Sequence, residues 1–592
     1  MTQDNPGWRK EIDRAAIDGR VAFATAAFLL GAGIFVLLDR IGTPEPFVAL
    51  LAPALAVTGL AAIGFMLRSM RISSFYAAGR AAPGVYAGLA LTALGLALAM
   101  PFTPPGPAGV SLSSLMAGLG SGLLLAALWT GPMLRKTGAF SIASMLVARF
   151  PGLTIRLGAT LATGAAGLCI GLAGLAMAQH SLAQATAADA QTCAILAAVI
   201  VALIVVPGGM AGLVWSATGA AGLLIAGIAA PLALMIGSGE AIPLPLPGNR
   251  VAFEEALAHM TQWRAGSPAP MEADSLIVIG VALGVAALGS LLAPAITTQN
   301  ARETQRGGLS GLVWCVLLAL MALMIAAAST QTLQAGGVGL RPGDLPAFLL
   351  EASGRGLVGI CGAHPATIAQ AREACAALPG FSGALRPSDI TATSDYLLLG
   401  LAELRGYGAA FSGLAMAGRI SIALVLSAAG FFTLATALGD DASRRKREAS
   451  ALASHRLAVT RLVLLGAIAS CAAQLASNAP DPRLLIGAAL ALSAVAIAPL
   501  LLLSLWPRAE GQDGAIALVT GLAVAEAIIL LAGRQPTADD VAMASEAGFA
   551  AATLAGFGAS FRHPADHTSE AAAFVHGLLH GEGDVLGPDK GA

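Results

Sequence analysis

The 592-residue chain is 56% hydrophobic and only 11% charged, with 33 Lys/Arg against 34 Asp/Glu and a mean hydropathy of +0.77. Soluble domains carry about 25% charged residues, so this composition excludes a soluble enzyme or binding module. Repeated uncharged runs near the ~20 residues needed to cross a bilayer predict a polytopic, all-α membrane protein. The net charge of −1 carries no information about partners; where the charges lie matters more.

In chain order, residues 1–20 form a polar segment of both signs, and the first apolar run lacks a small-residue cleavage site, so it reads as a retained helix and not a signal peptide. Fourteen runs read as spanning helices: 21–39, 47–67, 83–104, 112–134, 157–183, 192–206, 212–236, 275–297, 308–330, 410–438, 458–477, 483–505, 515–533 and 543–561. The 71 glycines suit close helix–helix contact through small residues. Short loops on one side are basic, at Arg68/Arg71/Arg80, Arg135/Lys136/Arg149/Arg156, Arg302/Arg306 and Arg444-Arg445-Lys446-Arg447. The positive-inside rule then puts both termini in the cytoplasm, including a short polar tail at 562–592.

Two loops on the opposite side are long: 237–274, Pro-rich and acidic, and 331–409, which holds Cys361 and Cys375. In an oxidising compartment these two cysteines could form a disulfide closing a loop of about 14 residues, worth ~3 kcal/mol in the chain-entropy model. The alternatives are two free thiols, or a metal site with His364 that lacks a fourth ligand.

Several loop and helix-end motifs recur in a fixed order. They are Phe75-Tyr76-Ala77-Ala78-Gly79-Arg80 followed by Pro83; Pro132-Met133-Leu134-Arg135-Lys136-Thr137-Gly138 with Ala148-Arg149-Phe150; Ala178-Gln179; Gly208-Gly209-Met210 with Val214-Trp215-Ser216; Ala435-Thr436-Ala437-Leu438-Gly439-Asp440-Asp441; and Leu505-Trp506-Pro507-Arg508 with Gly514-Ala515-Ile516-Ala517. Together they resemble the sodium/solute symporter family in its acetate-permease-like, cation/monocarboxylate branch, over roughly residues 1–565. The resemblance implies a LeuT-like 5+5 inverted-repeat bundle over 83–505, two extra helices before it (21–67) and two after it (515–561). It further implies symport of a small organic anion across a bacterial inner membrane, and a possible small two-helix membrane subunit as partner. Gly95/Pro101 in the first core helix and Gly289/Pro294 in the sixth are the expected marks of the two broken helices, or of ordinary kinks tolerated by packing.

The central positions depart from the family pattern. Leu94 stands where sodium-coupled members carry an Asp, with Thr92 and Gly95 beside it; Val425 and Leu426 stand at the Ser/Thr pair, with Ser427 next along. The sodium site therefore reads as dismantled, leaving Na+, H+ or no ion as the coupling partner. Gly289-Ser290-Leu291-Leu292-Ala293-Pro294 replaces a Gly-Leu-Pro-His-like run, and Ala217 replaces a family Gln.

Arg419 lies inside a span, where a cation costs ~2.5–3.5 kcal/mol on insertion scales. It is a candidate for a substrate carboxylate, a pair with Glu526, or a snorkelling residue. Gln179 and Gln184 could face a polar cavity; His180 reads as an interface residue or a proton relay. Thr92, Gly95, Gly289, Ser290, Gln179 and Arg419 are thus the expected substrate contacts, and Thr92, Leu94, Gly95, Val425, Leu426 and Ser427 the cation-site positions. The expected function is secondary transport of an acetate-like monocarboxylate by alternating access, against a non-transporting sensor, regulatory or assembly subunit. No phosphate loop, zinc helix or nucleophile–base pair suggests an enzyme, no resident cofactor or metal is expected, and nothing suggests nucleic-acid binding.

Overall fold

Inside hydrocarbon a backbone has no water to bond, so long Ala/Leu/Gly/Val runs satisfy their own amides as helices. The computed structural model describes residues 14–102, 112–186, 188–237, 275–392, 396–397, 400–443, 452–533, 538–563, 570–580 and 585. Residues 1–13, nearly all of the expected 237–274 loop, and the basic run Arg444-Arg445-Lys446-Arg447 lie outside the described residues.

In chain order, α1 (Arg14–Arg40), α2 (Glu45–Met66) and the short α3 (Ile72–Ala77) precede α4 (Gly84–Ala99). Next, α5 (Leu112–Leu125) passes through a π-turn at Ala126–Thr130 into α6 (Gly131–Thr137), followed by α7 (Ile142–Arg149), α8 (Leu153–Thr186) and α9 (Ala190–Gly237). Then come α10 (Ser275–Ala287), α11 (Gly289–Leu292), a 3-10 turn at Ala293–Thr297, and α12 (Ala301–Gly337). A small subdomain holds α13 (Ala347–Gly354), β1 (Val358–Ile360), α14 (Ile368–Ala376), β2 (Ile390–Ala392) and α15 (Leu401–Leu404). The chain ends with α16 (Ala409–Ser443), α17 (Leu452–Ser477), α18 (Pro482–Leu492), a π-turn into α19 (Ala498–Ser504), α20 (Gly511–Ala532), α21 (Ala538–Ser560) and α22 (Glu570–His580).

Among the described residues, twelve helices are long and apolar enough to span a membrane, and the bent pair α10–α11 makes a thirteenth. The fourteenth is hidden in α9. Its apolar stretch of 46 residues would reach roughly 70 Å if straight, more than twice the hydrocarbon thickness. The chain instead reverses at Gly209 (φ 56, ψ −138), a left-handed conformation that glycine adopts without a steric penalty. A Cβ at Gly212 would press on the carbonyl of Ile204, which a straight helix would hold two turns away. The expected spans 192–206 and 212–236 are the two arms of this hairpin.

Glycine contacts draw several helices close together, among them two sets. Gly84 and Gly88 of α4 face Gly307 and Gly311 of α12 so closely that a Cβ on Gly311 would lie 2.6 Å from the Gly88 carbonyl oxygen. Gly122 of α5 approaches Ala282 and Val285 of α10 in the same manner, and Gly308 of α12 meets Ala127. A second group joins α8 to α16: a Cβ on Gly430 would sit 2.6 Å from the Gly167 carbonyl oxygen, and Gly171 and Gly174 meet Phe431 and Ser427. Backbones this close gain dispersion contacts that lipid cannot replace.

The 331–409 region is more structured than the long loop expected there. The helix α12 runs to Gly337, and β1 pairs antiparallel with β2 in the register Val358↔Ala392, Ile360↔Ile390. Leu349, Val358, Ile360, Ala371 and Ile390 form its own buried core. Cys361 and Cys375 are disulfide-bonded, so no thiolate pair remains for a metal site with His364, whose Nδ1 instead meets the Val358 carbonyl at 2.9 Å. Three-residue strands are too short to register as periodicity, which is why the sequence reads as loop here.

Candidate functional site: the helix elbow and the two bundle faces

Among the described residues, only one of the two expected helix breaks is present. Between α10 and α11, Leu288 is extended (φ −74, ψ 112) and the chain bends by 51°. By contrast α4 is one continuous helix through Gly95, and only its last turn tightens to 3-10 at Met100–Phe102, beside Pro101. The physical reason lies in the neighbours. Ala93, Leu94, Ala97 and Leu98 are buried among apolar side chains, so carbonyls released by unwinding would meet no partner. Gly95 serves packing against Cys315 and Leu123, not a break.

At the elbow, Gly289 faces α8 and α16 together. A Cβ there would lie 3.0 Å from Thr433 Cγ2 and 3.3 Å from Thr163 Cγ2. The neighbouring hydroxyls of Ser290 (2% exposed) and Thr163 (3% exposed) have no hydrogen-bond partner among the described residues, while Thr433 donates to the Ala429 carbonyl at 2.8 Å. An unpaired buried hydroxyl costs about 1–3 kcal/mol. These two hydroxyls near the bend are candidate contacts for a small polar group. Thr163 escaped the sequence reading because a threonine on a long apolar helix carries no distinguishing signal.

The other candidate residues are placed apart from this elbow. Thr92 donates to the Gly88 and Gly311 carbonyls at 3.0 and 3.1 Å, facing α12. Ser427 donates to the Gly171 carbonyl at 2.9 Å, facing α8. Leu94, Val425 and Leu426 are buried hydrocarbon in the central core. The cation-site positions therefore bring no free side-chain oxygen together. Gln179 does not open onto a polar cavity: its Nε2 donates to the Ala190 carbonyl at 2.9 Å and closes the α8–α9 corner.

Arg419 is buried (5% exposed) and donates through Nη1 to Gln184 Oε1 at 2.8 Å. Gln184 in turn meets His180 Nε2 at 3.0 Å, and His180 is exposed. A polar chain thus leads from mid-span Arg419 to the face that bears the disulfide. The alternative pairing with Glu526 is not found; that carboxylate stands exposed on α20.

The opposite, basic face is closed by the motif residues. Tyr76 Oη and Thr460 Oγ1 lie 2.6 Å apart, and the Arg456 guanidinium stacks over the Tyr76 ring at 4.8 Å. Arg80 donates to the Gly138 carbonyl at 2.7 Å. Arg135 Nε donates to the Thr298 carbonyl at 2.6 Å, with a second bond to Gln299, while Ala82 N–H donates to the Thr297 carbonyl at 3.1 Å. Arg149 binds the carbonyls of Ser504, Trp506 and Ala509 at 3.3, 2.9 and 3.0 Å. Burial lowers its pKa to about 10, and the three carbonyl dipoles receive the cation that remains at neutral pH.

No family profile matches the chain, and no curated protein matches it. Among solved structures, the chain is similar to a Na+-coupled sialic acid symporter in a substrate-bound, outward-open state: 14% identity, TM-score 0.62, covering 89% of this chain and 99% of that one. A mutant of the manganese transporter from Eremococcus coleocola aligns over 88% of this chain and 95% of its own at 13% identity, but its TM-score of 0.37 carries no argument. The first likeness establishes the fold: a polytopic, LeuT-like helical bundle.

Proposed function

We propose that the chain is a secondary transporter of a small organic anion of the acetate or monocarboxylate class, working by alternating access in a bacterial inner membrane with its basic face cytoplasmic. The observation that carries this reading is the elbow at Leu288–Gly289, where Ser290 and Thr163 present unpaired buried hydroxyls between the two glycine-joined helix groups. One group (α4, α5, α10, α12) is built to rock as a body against the other (α8, α16), and a site at their seam is exposed to each side in turn. Arg419, reached from the disulfide-bearing face, is the proposed first contact of the incoming carboxylate.

Sodium coupling is not part of the proposal. A small hard cation needs several oxygen ligands, and Leu94, Val425 and Leu426 offer none, while the hydroxyls of Thr92 and Ser427 hold backbone carbonyls of neighbouring helices. Proton coupling or uniport fits these residues better.

Radiolabelled acetate uptake into proteoliposomes, under an imposed sodium gradient and separately a proton gradient, tests the reading. Proton-driven accumulation, or equilibration without either gradient, is expected. Sodium-driven accumulation would overturn the account of Leu94, Val425 and Leu426. Absence of flux across a wider set of carboxylates would favour a second reading, a non-transporting membrane subunit with a sensing or assembly role. The uninterrupted apolar helix α4 is the observation on that side.

A further inference from the structure

Beyond the spanning helices, α22 is docked on the basic face. Phe574 and Leu578 are buried (8% and 7% exposed) in the cluster that contains Leu134, Phe150 and Leu500, and Val575 is buried as well (5%). The Lys136 ammonium donates to the Leu578 carbonyl at 2.5 Å, at the C-terminal end of α22, where a helix dipole favours a cation. Val585 N–H also donates to the Lys136 carbonyl, at 3.0 Å. Phe574 lies 5.6 Å beneath the Arg149 guanidinium.

These contacts reach two different parts of the bundle. Lys136 lies in the last turn of α6, the continuation of α5, and its neighbour Arg135 holds Thr298 and Gln299 just beyond the broken helix. Arg149 ends α7, which packs on α8 of the second group, and it is fixed by carbonyls at and just after the end of α19. A helix that grips both sides resists their separation. The geometry points to α22 as an autoinhibitory strap: it holds the basic face closed, and the site can open to that face only when α22 lets go. The inference rests on the alternating-access reading, whose two bodies it ties together.

Hydrogen–deuterium exchange of the full chain in lipid nanodiscs tests it without any substrate, so absent flux and a failed strap are separable results. The substitution Leu578→Glu places a carboxylate in the apolar contact, and Leu578→Met keeps it. Amides of 289–300 and 135–138 are expected to exchange about tenfold faster in Leu578→Glu and at the parent rate in Leu578→Met, with the α8–α16 contact unchanged in both. Phe574→Asp, a second way to release the helix, is expected to reproduce the effect. The strap is overturned if 570–580 exchanges in the parent at the rate of an unfolded chain, or if α22 is freed while 289–300 is unaltered. Protection of 570–580 that survives both substitutions overturns it too, because the apolar contacts would then not be what holds the helix.

Discussion

The Nη1 of Arg419 and the Oε1 of Gln184 meet at 2.8 Å, tying the first third of α16 to the last turn of α8. Hydrogen bonds to charged groups contribute about 1.5–3 kcal/mol, and a buried guanidinium left short of an acceptor loses more than a neutral group does. Gln184→Ala is therefore expected to lower the apparent Tm in a detergent melt by several degrees. Gln184→Glu turns the contact into an ion pair at neutral pH and is expected to keep or raise Tm. The same carboxylate would occupy the place proposed for the substrate's, so Gln184→Glu is expected to lose uptake while remaining folded. Retained uptake in a stable Gln184→Glu protein would remove Arg419 from the substrate path.

Ser290→Ala and Thr163→Val delete hydroxyls that have no partner among the described residues. Removing an unsatisfied buried polar group relieves its desolvation penalty, so each change is expected to leave stability unaltered or raise it by about 1 kcal/mol. Uptake should fall in both, with a larger rise in KM than fall in kcat if the hydroxyls hold the ground-state anion. Wild-type transport kinetics in both variants would move the site away from the elbow.

The α8–α16 seam predicts a stability effect opposite to intrinsic propensity. Alanine is favoured over glycine by up to about 1 kcal/mol in a helix. At Gly430, however, the added methyl group would stand 2.6 Å from the Gly167 carbonyl oxygen and press on the backbone of Gly171. Gly430→Ala is expected to lower Tm. Gly466→Ala on α17, where nothing lies within 4 Å, should be neutral or mildly stabilising. Equal melting temperatures for the two variants would contradict the seam as described.

Tyr396, in the disulfide-bonded subdomain, has its pKa raised from 10.0 to about 12, chiefly by burial, with the nearby Glu351 charge adding to the rise. A raised folded-state pKa means the neutral phenol supports folding. That contribution is complete below pH 10 and is lost as pH climbs from 10 towards 12. Tyrosinate absorbance is expected to show late-titrating phenol, and the late amplitude should fall by one tyrosine in Tyr396→Phe. The variant should also keep its subdomain folded to higher pH than the parent does.

The spans were legible because length and hydropathy alone decide them in a bilayer, and the longest apolar stretch was read as two spans, 192–206 and 212–236. What was not legible depended on neighbours distant in sequence. Gly95 and Pro101 looked like a break in α4, yet Gly95 makes room for Cys315 and Leu123 and Pro101 sits only at the helix end. Arg135 and Lys136 read as topology signals, whereas their side chains fasten the end of the broken helix and the docked α22. Thr163 and Ser427 are chemically alike on paper; one is unpaired at the elbow and the other is bonded to Gly171, a difference set by helix rotation.

The uncut apolar wall of α4 has a bearing on energy conservation. Alternating carriers with two unwound helices place polar backbone from both repeats at mid-membrane, a short route along which water and protons can slip when a cycle misfires. With α4 closed over Leu94 and Val425 buried in the same core, that route is interrupted by saturated hydrocarbon, where a bare charge is costly. For the proposed carrier, the same wall would oppose passage of an ion without its substrate.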